Sequence, residues 1–218
     1  NYRPFDRSRM VKLAHRIAAD DIHPDSKLTL EARQLFHEEE SNMLGYKSRN
    51  IEHKDDPEKR RVVAWGMYQF TRIAFEEVGI LGSNGEWNAN NKYGVSSFDD
   101  FLANPLAQEQ AMEDLMIHHD DQFGNKGTYE FAEKTIDVKI DGKIVSITVT
   151  QDGLLAASHI EGAGETNKIV RSLFDDEGVF IGGVLDISVR PDDRDAEKIY
   201  NVLKRLLDFQ DVPIFREG

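Results

Sequence analysis

Three consecutive acids, Glu38-Glu39-Glu40, close a helical run that is predicted from about Thr29, with Leu28, Ala32, Leu35 and Phe36 as its inner face. Negative charge at a helix C-terminus opposes the helix dipole, so this placement costs stability, and breaches of a local rule are where function is sought. Like charges and partial burial both raise a carboxyl pKa, which is the property of a general acid that must give its proton to a leaving glycosidic oxygen. Glu40 is the best placed of the three, because it borders a loop of hydrogen-bonding side chains, Ser41, Asn42 and Tyr46. The same acids also suit a solvated helix end. Other chemistries fall away: the chain has no cysteine, hence no thiol nucleophile, zinc-thiolate site or disulfide. It has no glycine-rich phosphate loop ahead of a helix and no Gly-x-Ser-x-Gly elbow. His118-His119-Asp120-Asp121 offers metal-ligating types, but adjacent histidines on a helix point about 100° apart. A solvated helix end is the simpler expectation there, with no metal and no cofactor.

Glu40-Ser41, then Gly45-Tyr46, then Gly66-Met67-Tyr68-Gln69-Phe70 resemble the lysozyme-like superfamily of peptidoglycan-cleaving enzymes. Members of that group carry a helix-ending catalytic Glu, commonly followed by Ser, ahead of a Gly-x-x-Gln or Gly-x-Tyr-Gln-Phe segment that lines the sugar groove. Phe98-Asp99-Asp100-Phe101-Leu102-Ala103-Asn104-Pro105-Leu106-Ala107-Gln108-Glu109-Gln110-Ala111 is similar to a helix of phage-type and secreted muramidase domains. Gly153-Leu154-Leu155-Ala156-Ala157-Ser158-His159-Ile160-Glu161-Gly162-Ala163-Gly164 resembles their Leu-Ala-Ala-His-x-x-Gly-x-Gly segment. The likeness spans residues 28–175 in order. It departs in a long loop between Glu40 and Gly66, with a charged insertion at 52–61, and in an added hairpin at 135–150.

The resemblance implies an N-acetylmuramidase that cuts the β-1,4 bond between N-acetylmuramic acid and N-acetylglucosamine, with Glu40 as the acid. Glu31 stands nine residues earlier, a spacing that resembles the acidic pair of phage-type lysozymes and in that register makes Glu31 the acid and Glu40 its partner; Glu40 is essential in both. One straight helix would set the two about 13 Å apart on opposite faces, so they cooperate only if the helix breaks between them. Glu31 suits equally well a first-turn acid placed favourably at a helix N-terminus. Tyr68 and Gln69 are expected to offer hydrogen bonds and a stacking face to the N-acetylated sugars, with Tyr46 on the opposite wall and Ser41 as a further substrate-binding residue. His159 is either a structural histidine or a groove residue, and Trp65 and Trp87 are candidate sugar platforms, Trp87 the better because it sits in a polar loop. Met67 and Phe70 read as core. A lytic transglycosylase acting on the same bond, and a catalytically silent glycan-binding or structural module, are the alternatives.

Elements must hold these residues in place. Met10, Leu13, Ala14 and Ile17 mark a helix, residues 41–61 read as a polar loop, and a helix runs through Ile73-Ala74-Phe75 to Val78. A Gly/Asn-rich surface loop covers 79–94, and a periodic helix spans about Phe98 to His118 with a break at Asn104-Pro105. From Thr135 to Thr150 the apolar period becomes two, around Asp141-Gly142, a strong hairpin signal. Leu154 to His159 and Asn167 to Leu173 read as helices on either side of a turn at Glu161-Gly162-Ala163-Gly164, and Ala196 to Leu207 as an amphipathic helix. The fold class is α+β and mostly helical, a lysozyme-like fold with an inserted hairpin in a single domain over 1–218.

The 218 residues carry 27 Lys+Arg against 40 Asp+Glu, a net charge of −13 that argues against nucleic acid, anionic membranes and anionic wall polymers as electrostatic partners. No apolar run approaches a membrane span, and residues 1–7 lack the apolar core of a signal peptide. The first residue is Asn, so the chain reads as a monomeric domain excised from a longer protein. Delivery by a phage or by a contractile (type VI) secretion system, as a lysis protein or antibacterial effector toxin, would bring it to the periplasm of a target cell. Glycan strands of peptidoglycan are the expected partner, and an effector would have a cognate immunity protein in its producer.

Overall fold

A computed structural model of the chain describes residues 10, 12–17, 46–47, 49–52 and 61–210. The protein is α+β and mostly helical. It divides into two compact units, one spanning Asp6–His118 and the other running on from His119. The expected helix from Thr29, and with it Glu31, Glu40 and Ser41, lies outside the described residues.

In the first unit, residues 12–17 form α1, and Met10, Leu13, Ala14 and Ile17 are all buried, as their spacing requires. The stretch 41–61 is not wholly loop: Arg49–Glu52 (β1) pairs antiparallel with Arg61–Trp65 (β2), with a register irregularity at Asn50/Ile51. β1 is too polar to show a strand pattern by itself; its partner, with Val62 and Val63, supplies the β-branched residues. β2 ends in a tight reversal, with Trp65 and Phe70 exchanging backbone hydrogen bonds at 2.9 and 2.8 Å. Arg72–Glu77 (α2) follows, capped by the Thr71 hydroxyl, which accepts from the Ala74 amide. The segment 79–94 is a turn-rich loop, yet it sends Ile80, Leu81 and Tyr93 into the core. Phe98–Ala103 (α3) is capped by Ser97, and Asn104 leaves the helical region ahead of Pro105, whose ring disfavours helix at the preceding residue. Pro105–Lys126 (α4) then runs eight residues beyond the expected end at His118, and the boundary between units falls within it.

That extension changes the reading of His118-His119-Asp120-Asp121. His119 and Asp120 are buried within α4 rather than solvated at its end. His119 Nδ1 lies 2.8 Å from the Ser158 hydroxyl, and Tyr129 donates to Asp120. Among the described residues no group of three or more His, Cys, Asp or Glu side chains could hold a metal ion. Gly127, left-handed at φ 68°, follows the end of α4 and leads into a short 3-10 helix, Thr128–Phe131.

The second unit contains the hairpin. Thr135–Ile140 (β3) and Lys143–Thr148 (β4) pair antiparallel around Asp141-Gly142, both with positive φ, and bury Ile136, Val138 and Ile147. Leu185–Asp186 (β5) adds a parallel edge to β3, and two residues are too few to carry a strand pattern in the sequence. Gln151–Ser172 (α5) contains the expected interruption: Gly162, at φ 77° and ψ 152°, breaks the helix into two stretches. Arg194–Asp208 (α6) buries Val202, Leu203 and Leu206, and Leu206 comes so near Gly153 that a Cβ there would sit 3.1 Å from its Cδ2. No helix among the described residues is long and apolar enough to cross a membrane.

Candidate functional site

Gln108 and Glu109 lie in the second turn of α4, and between them they gather two of the residues singled out from sequence. Gln108 is fully buried and uses every polar atom of its amide. Its Oε1 accepts from the Met67 amide at 2.9 Å, while Nε2 donates to the carbonyls of Tyr46 and Phe101, each at 2.9 Å. Gly66 allows this approach: it sits at φ +78°, and a Cβ there would fall 2.2 Å from Gln108 Oε1. Gln69 closes the same turn in the left-handed region, its Nε2 donating to the Gly66 carbonyl at 2.7 Å.

Glu109 receives the other end of Tyr46. The Tyr46 hydroxyl donates to Glu109 Oε1, and His15 Nε2 lies 3.0 Å from Oε2. Burial alone would push the Glu109 carboxyl upward, but His15 and the hydroxyls of Tyr46 and Tyr68 outweigh it and hold the group below the usual carboxylate range. Burial raises Tyr46, and the hydrogen bond to Glu109 and its charge raise it further. Burial likewise drives Tyr68 well above a normal phenol, with the Glu109 charge next. The Tyr68 hydroxyl lies close enough to feel that charge but has no hydrogen bond of ordinary geometry among the described residues. Glu109 is thus an anion at neutral pH, with a quarter of its side chain (26%) still open to solvent. It can stabilise positive charge or orient a donor, but it is poorly suited to giving up a proton.

No family model matches the chain, and no curated protein or solved structure is significantly similar to it. The site therefore rests on its own geometry.

Several expectations change. Tyr68 is wholly buried, so it offers no stacking face to a sugar. Trp65 is buried and stacked on Phe98, with centroids 4.0 Å apart and planes 7° from parallel, and cannot serve as a platform. Trp87 is half-buried, its ring edge-on to Phe98 at 5.1 Å within the Phe75 cluster, so packing accounts for an indole expected to lie open in a polar loop. Met67 and Phe70 are core. His159 is half-buried on α5 of the second unit, whereas Tyr46, Tyr68, Gln69 and Trp87 belong to the first. Glu31, Glu40 and Ser41 fall outside the described residues. Glu109 itself escaped sequence reading. The available signal was its neighbour: Gln108 occupies the same helical stripe as buried Ala111, Met112 and Leu115, a polar residue where the period calls for an apolar one.

Proposed function

We propose that this chain is a lysozyme-like peptidoglycan hydrolase, an N-acetylmuramidase in which Glu40 protonates the leaving glycosidic oxygen. The observation that supports it is the meeting of Tyr46 with the Gly66–Phe70 turn at Gln108 and Glu109. Three segments of the lysozyme-like resemblance, far apart in sequence, share one hydrogen-bonded junction beside a partly exposed anion. A sugar groove needs such a junction, because hydroxyl and acetamido groups are selected by polar atoms that cannot turn away. Glu40 supplies the proton in this scheme, since Glu109 is held ionised. Glu31 is the candidate second carboxylate. The place of action is the periplasm of a target cell, reached by secretion or injection from a phage or a contractile secretion system, with glycan strands as partner and an immunity protein guarding the producer.

Digestion of purified sacculi, followed by mass spectrometry of the released muropeptides, tests the reading. Reducing-end N-acetylmuramic acid is the expected product. A 1,6-anhydro terminus would mean attack by the muramyl 6-hydroxyl and a transglycosylase instead, and intact sacculi would leave only a non-catalytic glycan-binding or structural role.

A further inference from the structure

Tyr46 is held at both ends by adjacent residues of α4. Gln108 Nε2 donates to its carbonyl at 2.9 Å, and Glu109 Oε1 accepts from its hydroxyl. The direction of the second bond is fixed, because an ionised carboxylate accepts hydrogen bonds and cannot donate them. The single phenolic proton of Tyr46 is therefore committed to Glu109. What Tyr46 can offer elsewhere is a lone pair on its oxygen, so toward a ligand it is an acceptor only.

We propose that Glu109 is a positioning residue of the glycan site, which by claiming the Tyr46 proton makes Tyr46 a dedicated acceptor for an N–H or O–H donor of an N-acetylated sugar. The inference rests on the muramidase reading for the identity of the ligand and extends it to how that ligand is selected. Three features of the cluster fit the role. Glu109 and His15 keep 26% and 31% of their side chains exposed, and Tyr46 is half-buried, so the cluster is partly open to solvent. His15 occupies the second oxygen of Glu109 and leaves Oε1 to Tyr46. Tyr68, wholly buried, adds a phenol that also favours the anion.

The clamp predicts non-additivity. Tyr46→Phe removes the acceptor and keeps the ring, and Glu109→Gln removes the fixed anion and lets the Tyr46 proton turn outward. Each single change should weaken binding of an N-acetylglucosamine tetramer, read by titration calorimetry on the full chain, about tenfold. The double variant should bind no more than about twofold worse than Tyr46→Phe, because the two changes break one interaction. On sacculi the same loss should appear in apparent KM, with kcat within about threefold of the parent, the pattern of lost uniform binding. Near-ultraviolet circular dichroism confirms that each variant is folded, and Glu109→Ala, which also removes the anion, serves if Glu109→Gln is not. A double variant weakened about a hundredfold, or a fall in kcat at unchanged KM, overturns the proposal. Wild-type protein that binds the tetramer but leaves sacculi intact contradicts the hydrolase reading alone, since the binding cycle still decides the clamp. Wild-type protein that does not bind the tetramer overturns the clamp.

Discussion

Gln108 Nε2 donates to the carbonyl oxygen of Tyr46 at 2.9 Å, a bond between residues 62 positions apart in sequence. The same side chain holds the Met67 amide and the Phe101 carbonyl, so one buried amide joins the tyrosine, the turn after β2 and the end of α3. Replacing it with Leu keeps most of the volume and strands the Met67 amide and the Tyr46 carbonyl, while the Phe101 carbonyl keeps the Asn104 amide at 3.1 Å. A buried polar group left without its partner costs about 1–3 kcal/mol, and partial relaxation makes about 3 kcal/mol the expected total for Gln108→Leu. Urea unfolding measures this; a loss below about 1 kcal/mol would mean the amide is not what holds the junction together.

Gly66 and Gly79 separate conformation from contact. Both sit at positive φ, +78° and +76°, but a Cβ at Gly66 would meet Gln108 Oε1 at 2.2 Å, while one at Gly79 meets nothing within 4 Å. Alanine at either position carries backbone strain of about 1 kcal/mol or more. Only Gly66→Ala must also displace Gln108, so it should lose at least about 2 kcal/mol more than Gly79→Ala in the same denaturation experiment. Equal losses would show that the turn gives way without disturbing the junction.

Acid sensitivity follows from Glu109. Its carboxyl is lowered in the folded protein because His15, Tyr46 and Tyr68 favour the anion more than burial opposes it. A depressed carboxyl pKa contributes stability that is complete above the unfolded value, near 4.3, and is lost as pH falls through the folded one. Melting temperature should therefore fall more steeply below about pH 4 in the parent than in Glu109→Gln, which has no proton to take up there. Parallel acid limbs for the two proteins would contradict this.

Much of the second unit was legible from sequence because its signals are local. Asp141-Gly142 between two runs of period two could only be a hairpin, and the apolar stripe of α6 announced its buried face. Gly162 interrupts α5 where a turn was expected, since a glycine can take φ 77° and ψ 152° where other residues cannot. The misses are non-local. β1 has too little apolar character to be recognised without β2, and β5 is a two-residue strand that exists only because β3 has an open edge. His118-His119-Asp120-Asp121 reads as a solvated helix end, yet no left-handed residue interrupts α4, which ends only ahead of Gly127, and His119 and Asp120 are buried. The motif around Tyr68 predicts a residue facing sugar, but burial is decided by non-local packing, and Tyr68 is wholly buried. Glu109 became visible only when folding brought His15, Tyr46 and Tyr68 to it from three other segments.

Glu40→Gln bears most directly on the function. The substitution keeps size and hydrogen-bonding capacity and removes the transferable proton, so if Glu40 is the general acid, cleavage of purified sacculi should slow by about 10²–10⁴-fold. The parent and Glu40→Gln proteins, assayed side by side by release of muropeptides, give the answer. The account predicts that the variant stays folded, still binds an N-acetylglucosamine tetramer, and releases almost no product. Digestion of sacculi by Glu40→Gln at the parent rate would contradict it.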